Sequence, residues 1–274
     1  MDEPQRLFLG DLPEELRFEA SQRLEPFTTI LGWPGELVGS GTFVRVNGRS
    51  GILTAAHVWD HLYENREKNR EITLLVARGF HSFSVPVNLC TPHLSIERKT
   101  DEWGPDIQFI ELPPHKASQI AATKSFAEIS ALADKRFATA SSDVGFGCIM
   151  GFPAEQSKRT DYGPDKVALE LRGGFLSGIE NETVRGEFDY VETLATPDVT
   201  DQPKSFGGVS GAGLWRVTLR LKKGRPIGEA EIDPDFALAG VAFYEEPTPN
   251  GGKLIRYHGP RTIYRKLVEL VPRA

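Results

Sequence analysis

The chain has 274 residues, 39% hydrophobic and 26% charged, with a formal net charge of -6. This composition suits a folded globular protein with one large core or two smaller ones, and it excludes a disordered or low-complexity chain. The acidic balance gives no general attraction for nucleic acid or an anionic membrane surface, so neither is expected as a partner. No run approaches the ~18 apolar residues of a membrane span.

With 27 glycines and 19 prolines among many short β-rich runs, the pattern favours an all-β architecture rich in turns. Cys90 and Cys148 both sit in apolar runs, VNLC and GCIM, and read as small buried hydrophobes, with a disulfide between them left open. The N-terminal stretch MDEPQRLFLGDLPEEL lacks a basic start followed by a long apolar run, so no signal peptide is visible and a cytoplasmic, bacterial-type setting is expected.

Residues 11–24 read as a helix with Asp11 as N-cap, Pro13 in the first turn and Glu14 at the capping-box position. Leu12, Leu16, Ala20 and Leu24 share one face and Phe18 falls off it, so this face should dock on the body. Residues 1–27 are therefore expected to form a helical extension.

From Thr28 the pattern changes to short strands. Thr42 to Val46 and Ile52 to Ala55 predict a hairpin across Asn47-Gly48, a strong two-residue turn signal, and His57 follows directly. ITLLVARG, FSVPVNL and DIQFIEL, the last opening at Asp106, complete a first β unit over 28–114. Residues 115–140 are expected to be a partly helical linker. Strand signals resume at GFGCIMGFP, VALELRGGFLSGI, EFDYVETLA, LWRVTLRL and FALAGVAFY, giving a second β unit over 141–258. A closing helix over 259–274 should turn Ile263, Leu267, Leu270 and Val271 inward.

The stretch SFGGVSGAGLW places Ser210 among glycines with little side-chain bulk. Such a stretch lets the main chain reach φ > 0 and lets a substrate carbonyl approach backbone N–H groups, as a nucleophile loop requires. A glycine-rich turn between strands has the same composition. His57 and His61 in HVWDH are four apart, as helix-borne zinc ligands can be, but the zinc-protease pattern needs Glu after the first histidine and Val58 stands there. His81, His93, His115 and His258 show no ligand-like spacing, so no metal is expected.

Three landmarks then fall in one order: GILTAAHV with His57, PDIQFIEL with Asp106 and GGVSGAG with Ser210. In that order they resemble the trypsin-like (chymotrypsin-fold) serine proteases. GSGTFV, and GFP followed by RGGFLSGI, are similar to the bacterial high-temperature-requirement branch, here without a C-terminal PDZ domain. The likeness runs from about Leu37 to Tyr244.

The resemblance implies two antiparallel six-stranded β-barrels with short N-terminal and C-terminal helices, acting as a serine endopeptidase on a protein or peptide substrate with no metal or organic cofactor. Ser210 would be the nucleophile, His57 the general base and then acid, and Asp106 the group that orients the imidazole. The N–H groups of Gly208 and Ser210 would form the oxyanion hole. Lys204 would lie at the floor of the primary substrate pocket, if it points inward, and the strand Phe243-Tyr244-Glu245 along its wall; a solvated loop lysine is the other reading of Lys204.

Val209 stands where digestive members carry an acidic residue that pairs with a newly cut N-terminus, so an oxyanion loop that is constitutively formed, or ordered by a partner or substrate, is expected instead. Ala212 and Gly213 also replace the usual glycine and proline, changes expected to be tolerated. The alternative is a catalytically silent or partner-gated protease-fold interaction module in a larger bacterial assembly, which leaves a regulatory protein partner open. Nothing in the sequence fixes an oligomeric state.

Overall fold

In the computed structural model, which describes residues 12–33, 36–68, 71–75, 82–93, 102–130, 145–156, 158–163, 166–170, 175–177, 179–195, 205–221 and 227–274, short strands and tight turns organise the chain. The first eight strands are β1 (Thr28–Trp33), β2 (Glu36–Val46), β3 (Arg49–Thr54), β4 (Glu71–Leu75), β5 (Ser82–Pro86), β6 (Thr91–Pro92), β7 (Gln108–Glu111) and β8 (Ala127–Ile129). They form one sheet in the order β5-β4-β1-β2-β3-β7-β6, with β8 parallel to β2.

The second half contributes β9 (Gly145–Met150), β10 (Lys158–Gly163), β11 (Lys166–Glu170), β12 (Phe175–Ser177), β13 (Ile179–Arg185), β14 (Phe188–Ala195), β15 (Gly213–Arg220), β16 (Glu231–Ile232), β17 (Ala237–Pro247) and β18 (Lys253–His258). Here β10 and β11 make a separate hairpin, and the others form a sheet in the order β12-β9-β15-β17-β18-β14-β13 with β16 beside β15. This mostly antiparallel pair of sheets, one in each half of the chain, matches the all-β class with two β units expected from the sequence. Each sheet has eight strands among the described residues rather than six. The additions include the two-residue strands β6 and β16 and also β8, which lies within the stretch read as a linker.

Asn47 and Gly48 take φ of 50° and 85°, the double positive φ of a type I′ turn, whose twist matches that of the strands it joins. The turn sets the register Val46↔Arg49 to Thr42↔Leu53, which buries Phe43, Val44, Ile52 and Leu53. β18 carried no strand signal of its own in the sequence reading; it is held between β14 and β17.

Helix α1 (Glu14–Leu24) begins directly after Pro13, whose ψ of 142° keeps it outside the helix, and no side chain caps it. The expected cap Asp11 lies outside the described residues. The docking face is as read: Leu12, Leu16, Ala20 and Leu24 are buried and Phe18 is 62% exposed. Although α1 precedes the first sheet, its stripe shares a core with Phe146, Cys148 and Met150 of β9. The helix thus ties the start of the chain to the second sheet.

The closing helix opens with a π turn over Thr262–Lys266 and continues as Leu267–Leu270. The wider turn changes which residues face inward. Ile263, Tyr264, Leu267 and Val271 are buried, whereas Leu270, expected on that face, is 39% exposed. The Tyr264 hydroxyl accepts the Leu238 N–H of β17 at 3.1 Å. Cys90 and Cys148 are both free and buried in separate cores, and burial pushes each thiol up to about 12. No helix among the described residues is long and apolar enough to cross a membrane.

Asn47 also joins the two ends of the fold. Its Nδ2 donates to the carbonyls of Val268 and Val271, at 2.8 and 2.6 Å, satisfying two of the closing helix's last acceptors. Asn47→Gly keeps the positive φ and removes only these bonds, so it should destabilise the chain by about 1–2 kcal/mol. A fall in the urea midpoint with unchanged slope is the expected observation.

Candidate active site

The first component is the helix α2 (Ala56–Glu64), which follows β3 after the single residue Ala55. Val58, Trp59 and Leu62 form its buried face. That leaves His57 in the first turn with its side chain 45% exposed. A helix leaves its first N–H groups without intrahelical partners. The His57 N–H donates to Oδ1 of Asp106 at 2.8 Å, and Oδ2 of the same carboxylate meets the ring Nδ1 at 2.6 Å. One carboxylate therefore caps the helix and orients the imidazole. A proton shared between Nδ1 and the carboxylate leaves Nε2 as the basic nitrogen.

Asp106 lies two residues before β7, in the loop that joins it to Trp103, rather than on the strand itself. Its backbone N–H donates to Nε2 of His258 at 2.9 Å. His258 ends β18 fully buried, with its ring stacked on Phe243 at 4.5 Å and 29°. Burial holds this imidazole down at about 3, with the charge of Asp106 opposing the shift.

The second component is the loop 205–212, built from two overlapping turns. Val209 N–H donates to the Phe206 carbonyl at 2.9 Å and Ala212 N–H to the Val209 carbonyl at 2.7 Å. The third residue of each turn is a glycine, Gly208 at φ 90° and Gly211 at φ 89°, as a type II turn requires. Ser210 is the second residue of the second turn and is half-buried.

Peptide planarity then sets the direction of two N–H groups, because an N–H points opposite to the carbonyl of its own peptide unit. The Gly207 carbonyl is held by Ala154 N–H at 2.7 Å, and the Val209 carbonyl by Ala212 N–H. The N–H groups of Gly208 and Ser210 therefore point away from those anchors, and neither donates a hydrogen bond among the described residues.

Ser40 of β2 joins the loop to the first sheet. Its N–H donates to the Ser210 carbonyl at 2.8 Å and its Oγ to the Gly208 carbonyl at 2.7 Å, while Phe152 N–H donates to that Oγ at 3.1 Å. The Ser40 carbonyl accepts Thr54 Oγ1 at 2.8 Å, close to the start of the His57 helix. Gly39 sits in the remaining gap: a Cβ there would lie 2.7 Å from Val58 Cγ2 and 3.0 Å from the Ser210 carbonyl oxygen. The Ser210 loop and the helix bearing His57 are thus brought within one side chain's width of each other.

Val209 is buried and shares an apolar core with Ile149, Val191, Phe206 and Ala212. Ala212 fits because Gly151 opposite has no side chain; a Cβ there would come within 2.5 Å of the Ala212 methyl. Phe243, read as a pocket wall, is buried with its ring stacked on His258, whereas Tyr244 is half-buried with Arg256 over its ring at 5.2 Å. Lys204 lies outside the described residues. Glu245, read with Phe243 and Tyr244 as pocket wall, accepts Phe206 N–H at 2.8 Å. Ser40 was given no role from the sequence, and His258 was considered only as a metal ligand. Ser40 lay in the motif GSGTFV, which was the one signal that could have found it.

Two outcomes are expected from this geometry. A Cβ on Gly211 would run into the Ser40 carbonyl and Thr54 Oγ1, so Gly211→Ala should cost about 2–4 kcal/mol, combining strained φ with a displaced backbone. Gly186→Ala, also at positive φ but with nothing within 4 Å, should cost only about 1–2 kcal/mol in the same denaturation series. The buried His258 makes the second outcome pH-dependent. An unfolded histidine takes up a proton near pH 6.5, and the folded one near 3, so its contribution to stability is present above about 6.5 and is lost as pH falls toward 3. His258→Phe should flatten that part of the stability-against-pH curve.

No protein-family model matches the chain, and no curated protein matches it. Among solved structures, neuropsin, a serine protease expressed in the limbic system of mouse brain, aligns over 90% of this chain and 94% of its own at 14% identity and a TM-score of 0.49. A second chain comes from a study of coupled folding and binding of the intrinsically disordered VPg protein of Sesbania mosaic virus; it aligns over 88% of this chain and 90% of its own at 13% identity and a TM-score of 0.45.

Proposed function

We propose that this chain is a trypsin-like serine endopeptidase that cleaves peptide bonds of a protein or peptide substrate through an acyl-enzyme. The observation that carries this reading is the two-point grip of Asp106 on His57, at 2.8 Å to its backbone N–H and 2.6 Å to its ring, beside the Ser210 loop. In this reading Ser210 Oγ attacks the scissile carbonyl carbon as His57 Nε2 takes its proton. The N–H groups of Gly208 and Ser210 stabilise the oxyanion, each donor contributing roughly 3 kcal/mol to the barrier. Collapse of the tetrahedral intermediate breaks the C–N bond and His57 returns the proton to the leaving amine. Water then repeats the sequence on the ester and frees Ser210.

The buried Val209 supports a loop that holds its shape without an N-terminal ion pair, and hence an enzyme that needs no trimming of the N-terminus for activation. Two unpaired buried cysteines suit a reducing compartment such as the cytoplasm.

A fluorophosphonate probe should label the chain and fail to label Ser210→Ala; absence of labelling in both would overturn the peptidase reading. Asp106→Asn should lower kcat by roughly 10⁴-fold, because the amide favours the wrong imidazole tautomer. Steady-state kinetics on a fluorogenic peptide library would measure the loss and define the cleavage preference.

A further inference from the structure

We propose that His258 is a positioning residue for Asp106: its Nε2 accepts the Asp106 backbone N–H and so fixes where the carboxylate stands relative to His57. The proposal rests on the peptidase reading for its kinetic consequence, while the positioning itself has a separate readout.

The argument begins with the loop before β7. Pro105 has no N–H and β7 begins only at Gln108, so no strand partner serves the Asp106 N–H. Gly104, Pro105 and Ile107 around it are buried, and a buried N–H left without an acceptor is costly. His258 reaches it across 152 residues of sequence. The rings of Phe243, Tyr190 and Phe188, at 4.5, 5.3 and 6.2 Å, fix the imidazole on its other sides. The position of Asp106 is therefore set by a rigid aromatic layer in the second sheet, while its carboxylate acts on a helix of the first.

The choice of histidine has a specific consequence. To accept at Nε2, the ring must be neutral and carry its proton on Nδ1, and Nδ1 has no hydrogen-bond partner among the described residues. A histidine that merely filled the core would have no reason to leave that N–H unsatisfied. The arrangement favours the acceptor at Nε2 over satisfaction of the other nitrogen. Asp106 is the charged group that bears on this ring, and because the ring stays neutral it anchors Asp106 without neutralising it. The full negative charge of the carboxylate remains available to stabilise an imidazolium at His57.

The experiment compares His258→Phe, which keeps an aromatic plug but has no acceptor, with His258→Gln, whose amide oxygen can accept the N–H. Both are made in the full chain, and circular dichroism and thermal unfolding establish that each is folded. His258→Phe should lose about 10- to 100-fold in kcat with KM changed by less than about twofold. The acid limb of its pH–rate profile should move to lower pH, because His57 loses part of the support of its carboxylate. His258→Gln should recover most of both. A folded His258→Phe with unchanged kcat and acid limb would overturn the proposal, as would equal losses in the two variants with no movement of the acid limb.

Nitrogen-15 spectra of the histidine rings give the readout independent of activity. They should show His258 Nε2 unprotonated, and a downfield His57 Nδ1 proton that is lost or broadened in His258→Phe. A proton on His258 Nε2 would sink the assignment. If the fluorophosphonate probe failed on the natural chain but these resonances behaved as described, the peptidase reading would fall and the positioning role would stand.

Discussion

The Asp106 carboxylate is the point on which the arrangement depends, because its two oxygens act on two parts of the same residue. Oδ1 takes the backbone N–H of His57 and Oδ2 meets the ring. The first bond satisfies an orphan donor at a helix N-terminus, where negative charge is also favoured by the helix dipole. The second orients the imidazole in the frame that the first has fixed. A carboxylate that made only the ring contact would leave the helix free to shift beneath it.

That grip lies within the first half of the chain and is anchored from the second. Asp106 lies in the loop before β7, His57 on α2 of the first half, and His258 at the end of β18 in the second sheet. The Ser210 loop is likewise a second-half element held through Ser40 of the first sheet. Asp106 and the Ser210 loop are each held by a hydrogen bond to the opposite half, and His57 is held through Asp106, so the geometry depends on the two sheets keeping their mutual placement. The α1 stripe packed on β9 and the Asn47 clamp on the closing helix both act to keep it.

The loop itself is a matter of backbone conformation. Two overlapping turns, each with a glycine at positive φ, aim the N–H groups of Gly208 and Ser210 away from the carbonyls that anchor them. Val209 then holds the loop by burial. Hydrophobic burial requires no proteolytic event to create a charge, which is the physical difference between this loop and one secured by a new N-terminus.

Much of this was legible in the chain because it depends on local chemistry. Asn47-Gly48 specified a type I′ hairpin, the spacing of Leu12, Leu16, Ala20 and Leu24 specified a docking helix, and glycines around Ser210 specified turns that only glycine tolerates. What local reading missed had long-range causes. Leu270 turns outward because a π turn widens the helix before it, and β18 is a strand because β14 and β17 pair with it on both sides. The hydrogen bonds made by Ser40, Glu245 and His258 are not written in the residues around them, since their partners lie 168, 39 and 152 residues away. Side-chain type and φ preference were enough to name the candidate site residues and the turns the backbone had to make. Only the tertiary structure decided which carbonyl, carboxylate and N–H would meet, because hydrogen bonds between the sheets depend on how they pack and not on any local pattern.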